Sequence, residues 1–415
     1  MSTATHAVPA ENSFGAALRH SSFRLYWFAR VAAWLAGQMQ AVAVGWHVYD
    51  LTGDPLDLGL VGLFQFLPTL MLALVAGHIV DNHCRRRILA AALAVEVVAV
   101  GALFALTLSG AASTAAIFAA VFAIGVSRAF AGPSYQAIIA AIVEPKDLPN
   151  AVAWSSSAMQ VAMVSGPALG GILYIAGPAA VYGTATALNA LAALLVLALR
   201  PRPVALARRA MSWDSLFAGL AFIRSRPAIL GALSLDMFAV LLGGATALLP
   251  VYARDVLDVG PWGLGLLRSA PAIGALVMAL ALARWMVAGR AGVALLSGIA
   301  LFGAATVVFG LSTEPALSFA ALVVLGAADQ INVFVRQTLI QLATPDDLRG
   351  RVGAVSSLFL GASNQLGEFE SGTAAAWFGA VPAVVAGGVG AMALAAVWAW
   401  RFPALRTADL RQPMH

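Results

Sequence analysis

Asp329, in GAADQINVFVRQ, and Arg128, in AIGVSRAFAGPSYQ, are single charges set inside long apolar runs. A charge in hydrocarbon is costly, so each must face protein or a water-filled cavity. A carboxylate held there can exchange a proton, and a guanidinium beside it can tune that exchange or bind an anion. Glu368 and Glu370 fall in SNQLGEFESG with Asn364 and Gln365, the most polar segment within an apolar span. A helical period puts Gln365 and Glu368 on one face and turns Glu370 away. This segment reads either as a substrate or proton site or as a structural hydrogen-bond network. Asp236, in LSLDMFA, and Glu96, in ALAVEVVAV, are further isolated acids. For proton coupling the order of choice is Asp329, Glu368, Asp236, with Arg128 as partner. Trp34, Gln38, Gln65, Gln160, Asn332, Arg336, Asn364, Gln365 and Glu370 are the candidate lining of a substrate cavity. His47 and Tyr49 read as interfacial anchors, and Trp27, Trp34 and Trp46 as belt residues or cavity walls.

The elements that position these residues must be membrane spans. Of 415 residues 61% are hydrophobic and 10% charged, against about 25% charged in a soluble domain. Apolar windows of about 20 residues recur along the whole length. The pattern predicts an all-α polytopic membrane protein with twelve transmembrane helices in two six-helix bundles. The first six spans fall near 24–48, 58–80, 88–110, 113–141, 150–174 and 178–199. The next six fall near 228–251, 262–284, 291–311, 316–341, 352–375 and 379–400. Residues 1–199 form the first bundle with a short N-terminal segment, 200–227 a connector, and 228–415 the second bundle with its tail. The N-terminal stretch lacks a classical signal peptide, so the first span reads as a true transmembrane helix.

Charge placement sets orientation. The net charge of +5 comes from arginines clustered between spans, a membrane-topology signal rather than one for nucleic acid. The connector holds six arginines, from Arg200 to Arg226, and within it DSLFAGLAFI reads as an amphipathic helix with Phe217, Leu220 and Phe222 at the interface. Arg85, Arg86 and Arg87, with Arg284 and Arg290, place their loops in the cytoplasm with both termini, and the acidic DLTGDPLD turn falls outside. The expected location is a bacterial inner membrane.

A faint repeat divides the chain. EPKDLPN at Glu144 recurs as TPDDLRG at Thr344, and YQAII at Tyr135 parallels RQTLI at Arg336. That register makes Asp329 the counterpart of Arg128. Either the two face a shared central cavity or each is satisfied within its own half. VSGPALGG supplies Gly166, Pro167, Gly170 and Gly171, suited to a packed hinge between helices. A single Cys84 excludes an intrachain disulfide and a multi-cysteine metal site. The sequence contains no phosphate loop, HExxH or nucleophile elbow. The chain reads as no enzyme and needs no cofactor; uphill movement would draw on an ion gradient.

GHIVDNHCRRR, with Gly77, Asp81, Arg85 and Arg86, is similar to the loop between helices two and three of the major facilitator superfamily, with departures at Asn82 and Cys84. RAFAGPS at Arg128 is similar to that family's helix-four arginine motif, and GPALGG at Gly166 to its helix-five antiporter motif. HSSFRLYWFAR, YDLTGDPLDLGLVG and SLFAGLAFIRSRP resemble the branch containing the enterobactin exporter and bacterial drug-efflux proteins. The resemblance covers roughly residues 23–401. It implies secondary active efflux of an amphipathic small molecule, a drug-like compound or siderophore, by proton antiport. Gly77, Asp81, Arg85 and Arg86 would gate the cytoplasmic side. The alternatives are uptake or facilitated diffusion of an organic solute, and a receptor or scaffold that transports nothing. The expected partners are a small-molecule substrate and membrane lipids, with the chain a monomer and no nucleic acid involved.

Overall fold

The structure is a computed structural model that describes residues 15–201, 213–284 and 289–409, all helical or connecting. The first long helix, α1 (Ser21–Thr52), stops where Gly53 adopts a left-handed conformation with φ of 64°. Asp54 then accepts a hydrogen bond from the Leu56 amide and caps α2 (Pro55–Asn82), whose first residue is proline. There follow α3 (Arg85–Leu108), α4 (Thr114–Ile142), α5 (Leu148–Tyr174) and α6 (Pro178–Leu197). The connector carries α7 (Trp213–Ser225), which lays Phe222 and Ile223 against α8 and α12 and leaves Phe217 exposed. Residues 202–212 of the connector, with Arg202, Arg208 and Arg209, lie outside the described residues. The second set is α8 (Pro227–Leu242), α9 (Gly260–Arg284), α10 (Ala291–Leu311), α11 (Pro315–Ala343), α12 (Asp346–Phe378) and α13 (Ala380–Arg401).

The predicted spans match these helices to within a few residues, with one exception. The span expected over 228–251 breaks at Leu242. Gly243 and Gly244 lead into a 3₁₀ turn (Ala245–Leu248) and a π turn (Tyr252–Val256). Among the described residues nine helical segments are long and apolar enough to cross a membrane by length and composition. The other long helices, α1, α5 and α12, carry more polar residues and pack against those segments.

The packing pairs repeat. In the first set α1 lies on α5 and α6, α2 on α4, and α3 on α4 and α6. In the second set α8 lies on α12 and α13, α9 on α11, and α10 on α11 and α13. The correspondence is term for term, so the weak sequence repeat marks a repeated packing scheme. The two most extensive contacts between the sets are α2 with α12 and α5 with α9, and each is the counterpart of the other.

Small residues make those seams. A Cβ on Gly171 of α5 would stand 2.6 Å from the Pro261 carbonyl oxygen and 3.0 Å from Gly265 Cα of α9. Gly166 and Gly170 likewise receive Gln38 and Met39 of α1, so α5 is wedged between α1 and α9. Although Pro167 lies inside it, α5 runs unbroken from Leu148 to Tyr174, and the Gly166–Gly171 segment is its packing face.

The seams converge at the end bearing the α1–α2 turn. There one apolar cluster mixes both sets, with Val42, Tyr49 and Leu58 against Leu248, Leu249, Leu264 and Leu267. A polar clasp closes over it. The Tyr49 hydroxyl donates to Asp255, Arg254 Nη1 donates to the Tyr49 carbonyl at 3.2 Å, and Arg254 pairs with Asp50 at 3.2 Å. The π turn brings Arg254 and Asp255 to α1 together, a common use of such local irregularity. Tyr49 is thus a buried partner of the second set rather than an interfacial anchor. His47 is also buried, its Nδ1 3.2 Å from the Tyr182 hydroxyl of α6, because α1 continues past the predicted end of its span.

Two outcomes follow from this packing. Gly171→Leu is expected to destabilise the fold by about 1–3 kcal/mol through overpacking, read as a lower unfolding temperature of purified protein. Gly77→Ala, where nothing lies within 4 Å, leaves that temperature unchanged or raised. Removing the clasp with Tyr49→Phe and Arg254→Ala together costs about 1 kcal/mol. Electron–electron distance measurements between spin labels at Thr52 and Asp258 would then show a separated population enlarged roughly fivefold. An unchanged distribution contradicts the clasp.

Candidate functional site

The α2–α12 seam carries charge into the interior. A Cβ on Gly62 would stand 2.5 Å from Glu368 Oε2 and 3.0 Å from Glu368 Cβ, so glycine there lets the carboxylate lie close against α2. One turn later on α2, Gln65 Oε1 accepts a hydrogen bond from Arg128 Nη1 of α4 at 2.9 Å. The α2–α4 contact that fixes this pair is tied by Thr69, whose hydroxyl donates to the Gly125 carbonyl at 3.0 Å. Arg268 of α9 reaches in from the second set and donates to the Ala41 carbonyl of α1 at 3.4 Å. Gln40, Gln65, Arg128, Arg268 and Glu368 share one small cavity of about 70 Å³ at the junction of the two sets.

Two larger cavities flank it. In the first set Trp34, Gln38, Glu96, Arg128 and Tyr135 line a space of about 270 Å³. Glu96 is buried and accepts a hydrogen bond from the Ser127 hydroxyl at 3.0 Å. Asp329, Asn364 and Glu368 of the second set line a space of about 300 Å³ with walls from Phe302 and Leu325 and from Met163 of α5 in the first set. Arg128 and Asp329 therefore occupy equivalent places in the two sets and open onto separate cavities, with Glu368 bordering the one between. Of the two arrangements open for Arg128 and Asp329, a shared central cavity or separate halves, the row of three cavities corresponds to the second.

Asp236 lies elsewhere. It is 1% exposed on α8, pairs with Arg336 Nε of α11 at 3.5 Å, and accepts from Asn332 Nδ2. Asn332 and Arg336 are 0% and 2% exposed. This group ties α8 to α11; Asn332 borders none of the cavities, and Arg336 reaches a polar space of about 530 Å³ between α11 and α12. Breaking such a buried pair on one side is strongly destabilising.

The remaining expected residues fall as follows. Gln365 shares the Glu368 face, with its Oε1 near Gly62 and without a hydrogen bond, while Glu370 is exposed and accepts from Ser371 at 3.4 Å. Gln160 is half-buried on α5 and borders none of these cavities. Trp34 is a cavity wall; Trp27 donates to the Trp154 carbonyl and Trp46 packs edge-on against Tyr174, both inside the first set. At the end opposite the clasp, Arg85 donates to the Ala137 carbonyl at 3.2 Å and Arg86 to the Leu199 carbonyl at 2.8 Å. These arginines serve the ends of α4 and α6, as cations do at helix C-termini. Asp81 makes no hydrogen bond or ion pair among the described residues. Sequence reasoning missed Arg268, Arg254 and Asp255, though a lone arginine in GLLRSAPAIG was the same kind of signal that marked Arg128.

A family model described as transmembrane secretion effector, MFS_3, matches residues 12–415. The enterobactin exporter EntS of Citrobacter koseri is 26% identical over 378 residues, covering 90% of this chain and 86% of that protein. The Shigella dysenteriae EntS is 25% identical over the same shares. Among solved structures, a bacterial homolog of the human lysosomal transporter Spinster, inward-facing and unoccupied, superposes with a TM-score of 0.72 at 15% identity, covering 93% of this chain and 98% of that one. The nucleoside transporter NupG gives 0.69 at 15%, over 94% and 100%. A POT family transporter in complex with 5-aminolevulinic acid gives 0.72 at 12%, over 93% and 97%. At those identities the structures establish the fold alone. The chain belongs to the transmembrane secretion effector family of the major facilitator superfamily, and is a multi-pass membrane protein.

Proposed function

We propose that this protein exports an amphipathic organic molecule from a bacterial cytoplasm in exchange for protons. The chain would cross the inner membrane twelve times, as bundles 1–199 and 228–415 joined by 200–227, with both termini inside. The observation that carries the reading is the row of charged cavities at the junction of two sets of helices that touch mainly through small-residue seams. Alternating exposure of such a row requires only that the sets rock about those seams. A ligand or proton with different affinity for the two arrangements then shifts the balance. Asp329 is our first choice for the coupling acid and Glu368 the second, with Arg128 and Arg268 beside Glu368. Asp236, committed to Arg336, is third.

Outward direction rests on the GPALGG segment and on the similarity to enterobactin exporters. The broader reading, uptake or facilitated diffusion of an organic solute, draws more general support. The same fold serves the nucleoside transporter NupG and a POT family transporter holding 5-aminolevulinic acid. Flux in oriented proteoliposomes separates the two.

Reconstituted protein is expected to show solute efflux that rises with an inward proton gradient. Asp329→Asn should lower that gradient dependence at least tenfold, with uncoupled exchange retained. Equal gradient dependence in wild type, Asp329→Asn and Glu368→Gln contradicts the coupling assignment. Asp81→Asn is expected to move the balance of the two arrangements while leaving solute affinity within about twofold. Spin-label distances across the α2–α3 loop and the α11–α12 end read that balance. Loss of transport with unchanged distances contradicts a gating role for Asp81.

A further inference from the structure

The cavity beside Asp329 has an unbalanced charge. Asp329 and Glu368 both border it, and among the described residues no basic side chain does. Its other polar groups are neutral: Asn364, whose amide donates to the Leu360 carbonyl at 3.0 Å, and Thr246. Met163, Phe302, Leu325 and Pro271 make the walls. Neither carboxylate accepts a hydrogen bond or forms an ion pair among the described residues.

The nearby cations are committed elsewhere. Arg336 stands two turns along α11 from Asp329, about 10 Å by helical rise, and its Nε lies on Asp236. Arg128 donates to Gln65 and Arg268 to the Ala41 carbonyl, both on the far side of Glu368. Glu368 borders the cavity that holds those two arginines as well, so part of its charge is answered there. The cavity that Asp329 borders has no basic residue among its described lining. An ionised carboxylate facing an apolar space inside a membrane protein calls for a counter-cation. About 300 Å³ is far more than an inorganic ion needs, and lies in the range of small-molecule pockets. An aromatic wall from Phe302 adds attraction for an organic cation near its face.

We propose that the cargo is an amphipathic organic cation, its ammonium group held against Asp329 and its apolar body against Phe302, Met163 and Leu325. This rests on the transporter reading of the same site and adds the charge class of what is carried. Glu368 lies across the cavity and gives a second, weaker contact to the cation.

The test uses full-length protein in nanodiscs and three dansyl probes on the same hexyl chain, ending in trimethylammonium, carboxamide or carboxylate. Energy transfer from tryptophan reports binding, with protein-free discs to subtract lipid partition. The trimethylammonium probe is expected to bind at least tenfold tighter than the carboxamide, and the carboxylate no tighter than the carboxamide. Asp329→Asn should erase most of the preference, Asp329→Glu should keep it, and Glu370→Gln, on the exposed face, should leave it unchanged. Equal affinity of cationic and neutral probes, no binding of any probe, or a preference that survives Asp329→Asn overturns the proposal. Where Asp329→Asn fails to fold, loss of the preference in Phe302→Ala with retention in Asp329→Glu supports it, and retention in Phe302→Ala overturns it. Proton-driven flux without a charge preference would sink this inference and leave the transport reading standing. A cation preference without any flux would do the reverse.

Discussion

Everything in this structure depends on how closely two sets of apolar helices can meet while keeping charge between them. A glycine at 62 lets α12 bring Glu368 against α2, and glycines at 171 and 265 let α5 and α9 touch through backbone. Larger side chains would separate the sets, admit water and dissolve the charged row. Apolar packing between membrane helices gives little net drive, because lipid is as apolar as the partner. Close backbone approach and a few polar ties therefore carry the association, and those are what the seams contain.

The two ends are built differently. At the α1–α2 turn an apolar cluster drawn from both sets lies under the clasp of Tyr49, Asp50, Arg254 and Asp255. At the other end the basic loop after α2 binds carbonyls of its own set. An asymmetric pair of ends around a charged middle is what a rocking transporter needs. One end is held by contacts that can be broken singly, at a cost comparable with thermal energy. The Asp236–Asn332–Arg336 group has the opposite character. It is buried within one set and ties α8 to α11.

Much of this was legible in the sequence. Apolar run lengths located the helices to within a few residues, and lone acids in apolar runs located Asp329, Glu368 and Asp236. The 3.6-residue period correctly put Gln365 with Glu368 and turned Glu370 outward. The pairing of those charges was not legible, because it depends on how helices far apart in sequence rotate about their axes. Hence the partners themselves, Arg336 for Asp236 and Gln65 for Arg128, were not readable from the sequence. The break after Leu242 was masked by continuous hydrophobicity over residues 228–251. His47 and Tyr49 were read as anchors because α1 outlasts its apolar core. The repeat was legible only as short echoes, yet the packing it implies recurs pair by pair.

The most direct measurement of the account is the side from which the Asp329 cavity is reached. In a variant with Cys84 replaced and a single cysteine at Asn364, a membrane-impermeant maleimide would be applied separately to inside-out and right-side-out vesicles. With the clasp intact, labelling is predicted from the side of the basic α2–α3 loop and not from the side of the α1–α2 turn. Adding Tyr49→Phe and Arg254→Ala should bring labelling from the second side. Equal labelling from both sides with the clasp intact, or labelling only from the turn side, would contradict an alternating site between the two sets.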